Sequence, residues 1–466
     1  MAYSRPGVYI SERLLPAPLP AGVSANAAGA VVAPFAQGPE AVTLVTSWYE
    51  FTKNFGGYNA SYPATFQVGS FFANGGRELY VQRVLAADAA KASVDVVTSG
   101  DAVVATVTAK NSGTDGNNLR VTISAGSVSG TYTLTLYKES GVSGILADDI
   151  LLERYENIVF NDETSSDYAE TVINLVSPNI TISDSAAGTP AYAAYPLTGG
   201  SNGTAVASGD YTDYKNDGAP VFENFTPLSR PLVIFLPTVA GMVNDTDVID
   251  VATSWSESNN GFVVIDTPAG ETVAEAIAYA GSLTDSSNGA VYFPHLYISD
   301  PIGRGTGALR KIGPAGSVAG LYLSTDASRG VFKAPAGIGS AIQGIVTVER
   351  TFSSADLDLM NASTSPVNAI RQIPGAGISV MGARTLKQDG TANKYVNMRR
   401  SLIYVRKNLE NLTEFAIFEN NAERLWARIN TTIGSFLNEY RNQGGLRGAT
   451  AAQAYFVKCD AENNSA

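Results

Sequence analysis

Apolar and polar positions change period several times along the chain. Near the N-terminus, "YSRPGVYI" carries Val8 and Ile10 in a short alternating run, which predicts a strand. "LLPAPLPAG" follows, with Pro16, Pro18 and Pro20, an alternation that favours an extended polyproline spacer. The pair predicts a strand held away from its own domain on an arm. "AGAVVAPF" reads as a buried strand, "SWYEFTKNFGG" as a short helix closed by Gly56 and Gly57, and "TFQVGSFFANGGRELYVQRV" as helix, glycine turn and strand. From about Ser93 to Gly218, alternating runs such as "AVVATVTA", "LRVTIS" and "TYTLTLY" predict antiparallel strands. From Pro231, "PLVIFLP", "GFVVIDTP" and "GAVYFPHLYISDP" are near-continuous apolar strands, with the helical spacing of "ETVAEAIAYAGSL" between them. That order indicates a mainly parallel sheet covered by helices.

Past Ala341, "IQGIVTVERTF" and "GISVMGARTL" read as strands and "YVNMRRSLIYVRKNLENL" as a helix. A second helix is expected after "EFAIFENN", with Asn420 as N-cap and Glu423 three residues on. Leu425, Ile429, Ile433, Phe436 and Tyr440 then form one apolar face, and Gly444 and Gly445 end it. The last apolar run, Ala454 to Cys459, predicts a strand with no obvious partner in its own neighbourhood.

The expected fold class is therefore multi-domain α/β plus β. An N-terminal arm (1–20) precedes a discontinuous parallel-sheet α/β core (21–92 and 225–340). An antiparallel β domain (93–224) is inserted into that core. An α+β C-terminal domain (341–448) and a C-terminal arm (449–466) follow.

Composition narrows the function. Of 466 residues, 45% are hydrophobic and 16% charged, which supports filled cores. The net charge of −12 argues against a general nucleic-acid binder. One cysteine, Cys459, excludes an intrachain disulfide framework, and together with a single histidine, His295, it argues against a zinc site of the usual ligand types. The N-terminus has no signal-type apolar stretch, and no run approaches a membrane span. A soluble protein made in a reducing cytoplasm is expected. Charge is uneven. Twelve acidic residues and two basic ones lie between Asp148 and Asp217, read as a solvated outer face. From Lys394 to Arg447, nine basic residues face five acidic ones. A basic two-helix unit on an acidic protein points to an acidic partner, or to ordinary helix decoration.

Catalytic chemistry is sparse. Gly316-Ser317-Val318-Ala319-Gly320 has its serine in the wrong place for a nucleophile elbow. His295 lies in an apolar strand with no second histidine to work with. The phosphate-loop pattern is absent. Gly303, Gly305 and Gly307 follow a strand and weakly match a dinucleotide fingerprint, but a glycine turn fits as well. Asp266 and Asp300 sit at strand ends, where carboxylates also serve as caps and turn formers. A Rossmann-like nucleotide-binding enzyme built on these residues is the competing class, and a surface adhesin built on the β insertion a weaker one.

Several segments together resemble the contractile tail sheath family of phages, tailocins and related injection machines. They are "RPGVYISE", "FGGYNASYPATFQVGSFFANGGRELYVQRV", "NSGTDGNNLRVTI", "GPAGSVAGLYLSTDASRGVFKAPAG" and the C-terminal run from "NMRRSLIYVRKNLENL" to "AYFVKCD". They lie in order at both ends and the centre, so the resemblance extends over most of the chain; the acidic part of the β insertion matches least. The resemblance implies a structural, non-enzymatic, cofactor-free subunit. It implies helical polymerisation around an inner tail tube, with baseplate and tail terminator partners, without nucleic acid or membrane insertion. The particle would be a virion tail assembled in the host cytoplasm, or a tailocin or secretion-type sheath. Contraction would pass between two lattice packings and need no ATP during the stroke. Terminal strands would add to neighbouring subunits by β-augmentation. Here these are Pro6, Gly7, Val8, Tyr9 and Ile10 at one end and Tyr455, Phe456, Val457, Lys458 and Cys459 at the other. The basic residues Arg399, Arg400, Arg406, Lys407, Arg424 and Arg428 would meet an acidic tube surface weakly and releasably.

Overall fold

A computed structural model of the chain describes residues 27–139, 149–185, 188–228, 230–305, 307–387 and 391–464. The expected N-terminal strand, Pro6 to Ile10, lies outside them.

The centre is an eight-stranded sheet. In spatial order its strands are Gly377–Val380, Asn368–Ile373, Gly289–Phe293, Phe262–Asp266, Leu232–Phe235, Ala28–Ala33, Leu79–Arg83 and Thr43–Val45. The six inner strands run parallel and each end is closed by an antiparallel edge strand. The Ala28–Ala33, Leu232–Phe235, Phe262–Asp266 and Gly289–Phe293 strands are buried throughout, which is why their sequences read as continuous apolar runs. Alternate residues serve opposite faces. Val31, Val233 and Phe235 join one core, with the helices Ala64–Ala73 and Ala315–Arg329. Ala30, Val32 and Ile234 join the other, with Asp245–Ser258 and Val273–Ser282.

The first face depends on a close helix crossing. A Cβ on Gly316 would lie 2.4 Å from the Gln67 carbonyl oxygen, and one on Gly320 2.4 Å from that of Phe71. These are main-chain atoms that cannot swing aside. The approach lets Ser70 and Ser317 hydroxyls meet at 2.6 Å.

Two expected boundaries move. The sheet takes its last two strands from 368–380, past residue 340, because Asn368–Ile373 pairs in parallel with Gly289–Phe293. The β insertion closes near Leu197, not residue 224. Its two antiparallel sheets share a core from Ala92 to Leu197. Tyr211, Phe222 and Phe225 already pack under the central sheet. The Ser/Thr/Gly-rich composition runs on past that point and hides the return. "GAVYFPHLYISDP" is two strands, Gly289–Phe293 and Leu296–Ser299, split around Pro294 and placed in different sheets.

The join between core and insertion is built on Arg83. Its buried guanidinium donates to the carbonyls of Phe35, Gly38 and Ser112 and to Asn202 Oδ1 at 2.8–3.1 Å. Burial holds it below the ordinary arginine range. Gly113 must be glycine here: its φ is +129°, and a Cβ would lie 2.5 Å from Asn202 Oδ1.

Candidate assembly surface

Beyond residue 391 the described elements are helical. Val396–Thr413 is the first long helix and Glu423–Asn442 the second. Asn420 does not cap the second one. Ala422 is the extended residue before it, and Glu423 opens the first turn. The C-terminal stop is as expected. Gly445 N–H donates to Tyr440 O and Gly444 N–H to Arg441 O, with Gly444 at φ +94°.

The apolar stripe of the second helix is only partly covered. Tyr440 is buried, packed against Phe332 and Tyr404 with ring centroids 5.9 and 5.6 Å away. Leu425, Ile429, Ile433 and Phe436 remain half-exposed. The helix is thus buried at its C-terminal end and only partly covered along the rest. Ile417 and Phe418, in the connection before it, are exposed, and Phe418 holds the left-handed φ of +65° that a bulky residue rarely adopts. Sequence reasoning missed this pair because it counted them as the approach to a helix.

The expected strand at 454–459 is placed differently. Ala454 ends a short helix, Ala451–Ala454, and Tyr455 to Cys459 belong to no sheet among the described residues. The segment runs along the second helix instead. Tyr455 Oη donates to Gly434 O at 2.9 Å, and Asn430 Nδ2 donates to Cys459 O at 2.8 Å. Exposure alternates as in a strand. Tyr455, Val457 and Cys459 are half-buried, while Phe456 and Lys458 face outward, Phe456 at 88% exposure.

The six basic candidates separate by burial into three sets. Arg400 is buried and turned inward. It makes a two-armed ion pair with Asp326, and its guanidinium stands 4.6 Å from the Tyr322 ring centroid. Lys407 is also buried, with Nζ 3.1 Å from Glu410. Neither is available as a releasable surface contact, because each faces its own chain. Arg399 is intermediate: it donates to Asn288 Oδ1 at 2.9 Å, and burial lowers it from its ordinary range. Arg406, Arg424 and Arg428 are exposed. Arg406 reaches Glu410 at 3.2 Å, and Arg428 lies 3.9 Å over the Phe415 ring.

The residues of the enzyme alternative are used structurally. Asp266 is buried and caps the Ala315–Arg329 helix, accepting from Ala315 N at 2.6 Å and from Gln67 Nε2 at 2.8 Å. Asp300 is held by Arg310 at 3.1 and 2.9 Å, which keeps its carboxyl below the usual range. Gly303 to Gly307 connect two antiparallel strands, Leu296–Ser299 and Leu309–Ile312, not a strand and a helix. His295 bonds Thr267 O at 2.7 Å. The crevice beyond the carboxyl ends of Ala28–Ala33 and Leu232–Phe235 is where a doubly wound sheet binds nucleotides. Its lining, which includes Phe35, Leu85, Val206, Tyr211 and Met242, carries no charged side chain.

No family model matches the chain. A tail sheath protein of Vibrio phage KVP40 is 25% identical over 151 residues, 32% of this chain, and the match spans about a fifth (21%) of that protein's length. Solved structures match over nearly the whole chain. The anti-feeding prophage helical sheath in its contracted state is 20% identical, covers 98% of this chain and 89% of its own, and has a TM-score of 0.54. The sheath complex of an extracellular contractile injection system (PVC), also contracted, is 21% identical, with 97% and 85% covered and a TM-score of 0.51. A sheath tail protein from Listeria innocua is 14% identical, with 91% and 87% covered and a TM-score of 0.64. The fold is that of contractile sheath proteins. The mixed α/β arrangement of several sheets described above is consistent with that fold.

Proposed function

We propose that this chain is the structural subunit of a contractile sheath, polymerising in helical rings around an inner tube and contracting to drive that tube through a target envelope. The observation that carries the reading is the full-length match to sheath folds. The unfinished C-terminal surface supports it. A helix with a half-covered apolar stripe and an outward Phe456 gains its missing cover from other copies.

In this reading the N-terminal strand, Pro6 to Ile10, and the C-terminal segment, Tyr455 to Cys459, each add to a neighbour by main-chain pairing. Arg406, Arg424 and Arg428, with Arg399 at the edge of the group, make the tube contact. Exposed pairs worth about 0–1 kcal/mol each suit a contact that must break. Baseplate and terminator proteins bound the polymer, the subunit performs no catalysis, and the sheath belongs to a virion tail assembled in the host cytoplasm. A tailocin or secretion-type injection system uses the same subunit chemistry. No helix among the described residues is long and apolar enough to cross a membrane.

Negative-stain electron microscopy of the concentrated protein tests the proposal. Hollow tubes of uniform width are expected, alone or once the cognate tube protein is added. Monodisperse particles under both conditions overturn it.

A further inference from the structure

A cavity of about 150 Å³ lies between the C-terminal helices and the central sheet. Phe332, Tyr404 and Tyr440 give it an aromatic wall, and the Arg400–Asp326 pair lines it too. It is smaller than the ~300–1,000 Å³ of ordinary small-molecule sites, so it fits side chains better than a cofactor. Ala27 forms part of its wall. The 26 residues before Ala27 lie outside the described structure, so the chain crosses this point on its way to the central sheet.

Those residues include "LLPAPLPAG", with prolines at 16, 18 and 20. Proline-rich segments dock in aromatic-lined grooves because their extended helix is preformed and loses little entropy on binding. Pro20 is seven residues from Ala27. At 3.3–3.6 Å per residue that gives a reach of roughly 25 Å.

We propose that the proline-rich segment of the same chain seats in the aromatic cavity beside Ala27, anchoring the root of the N-terminal arm on both C-terminal helices. The same chain is favoured over a second copy because Ala27 itself lines the cavity. The arm's direction then follows the position of the C-terminal helices, whether or not the protein forms a sheath.

Engineered disulfides in the full-length chain test this. Gln443 lines the cavity and is exposed. In a Cys459→Ser background, Gln443→Cys is paired with Ala17→Cys, with Ala21→Cys, or with a control, Leu175→Cys, in the inserted β unit. Each is oxidised mildly at high dilution, and the linked peptides are read by mass spectrometry. The expected result is a bond within one chain, several-fold more abundant for positions 17 or 21 than for 175. A bond found only between chains, or no excess over the control, overturns the proposal. Replacing Pro16, Pro18 and Pro20 by serine in the Ala17→Cys variant should reduce the yield several-fold. An unchanged yield removes the prolines from the recognition.

Discussion

Arg83 Nη2 donates to Asn202 Oδ1 at 3.1 Å, across the join between the core sheet and the inserted β unit. The same guanidinium holds carbonyls from both sides, Phe35 and Gly38 in the core and Ser112 in the insertion. A planar fork of donors can satisfy several acceptors at once, which a lysine ammonium cannot reproduce. Arg83→Met should leave these acceptors unpaired at about 1–3 kcal/mol each, partly relieved by water. The expected outcome is a lower urea midpoint and faster amide exchange in Ser112–Asn118 and Gly199–Gly203. Arg83→Lys should fall between the two. An unchanged midpoint for Arg83→Met would mean that the join is held by apolar packing alone.

Gly320→Val should destabilise the chain by about 1–3 kcal/mol, because the helix must move off Phe71 O. Gly434→Ala is the control. It lies mid-helix and half-buried, with nothing within 4 Å of its added Cβ. Helix propensity there should stabilise by up to ~1 kcal/mol. Thermal unfolding of the two variants should therefore shift in opposite directions.

Elements with a strong local pattern were legible in the sequence. The Ala28–Ala33 and Leu232–Phe235 strands are buried on both faces, so their apolar runs could mean little else. The Gly444–Gly445 stop was readable for the same local reason. The basic residues were not sorted, because Arg400 and Arg399 are neighbours in sequence yet only Arg400 meets Asp326, 74 positions away. The end of the insertion was also hidden, since Tyr211 and Phe222 look no different from the aromatics of the β unit until the sheet is assembled. The segment Tyr455 to Cys459 kept its strand-like alternation but borrows a helix for support, which no period in the sequence records.

Asp266 gives the chain a pH signature. Burial pushes its carboxyl above the ordinary range, and the nearby His295 and the bonds from Gln67 and Ala315 only partly oppose that. The native state therefore keeps this proton to higher pH than the unfolded chain, whose aspartates titrate near ~3.9. In that window the native state binds more protons, so this group's contribution to stability falls as pH rises through its folded pKa. Asp266→Asn should flatten that part of the profile while losing the Gln67 bond. Urea unfolding of both proteins from about pH 4 to 8 checks it; parallel profiles would show that Asp266 does not titrate there.

The tube contact can be separated from folding because the candidates differ in burial. Arg406→Glu with Arg424→Glu alters exposed positions, so stability should stay within about 0.5 kcal/mol while binding to the tube protein is lost. Arg400→Glu sets two acids together in a buried site and should cost more than ~3 kcal/mol. Sedimentation with preformed tubes, read beside circular dichroism, distinguishes the two effects. Normal sheathing by the double variant across a range of salt would remove the electrostatic contact.

The arms make the sharpest demand on the assembly proposal. The described fold places no buried core residue after Tyr440, and Phe456 is 88% exposed. Truncation after Gly448 should therefore leave the sheet, the β insertion and the Arg400–Asp326 pair folded, with an unfolding midpoint close to that of the full chain. It also removes the main-chain edge from Tyr455 to Cys459 that a neighbour would need. Deleting residues 1–15 should act in the same way from the other end while sparing most of the proline-rich root. Both variants are expected to sediment as monomers at concentrations where the full chain forms tubes, and to cap or dilute those tubes when mixed in. If either truncated protein still builds ordered tubes, side-chain contacts between the domains hold the lattice, and the exchanged strands are dispensable.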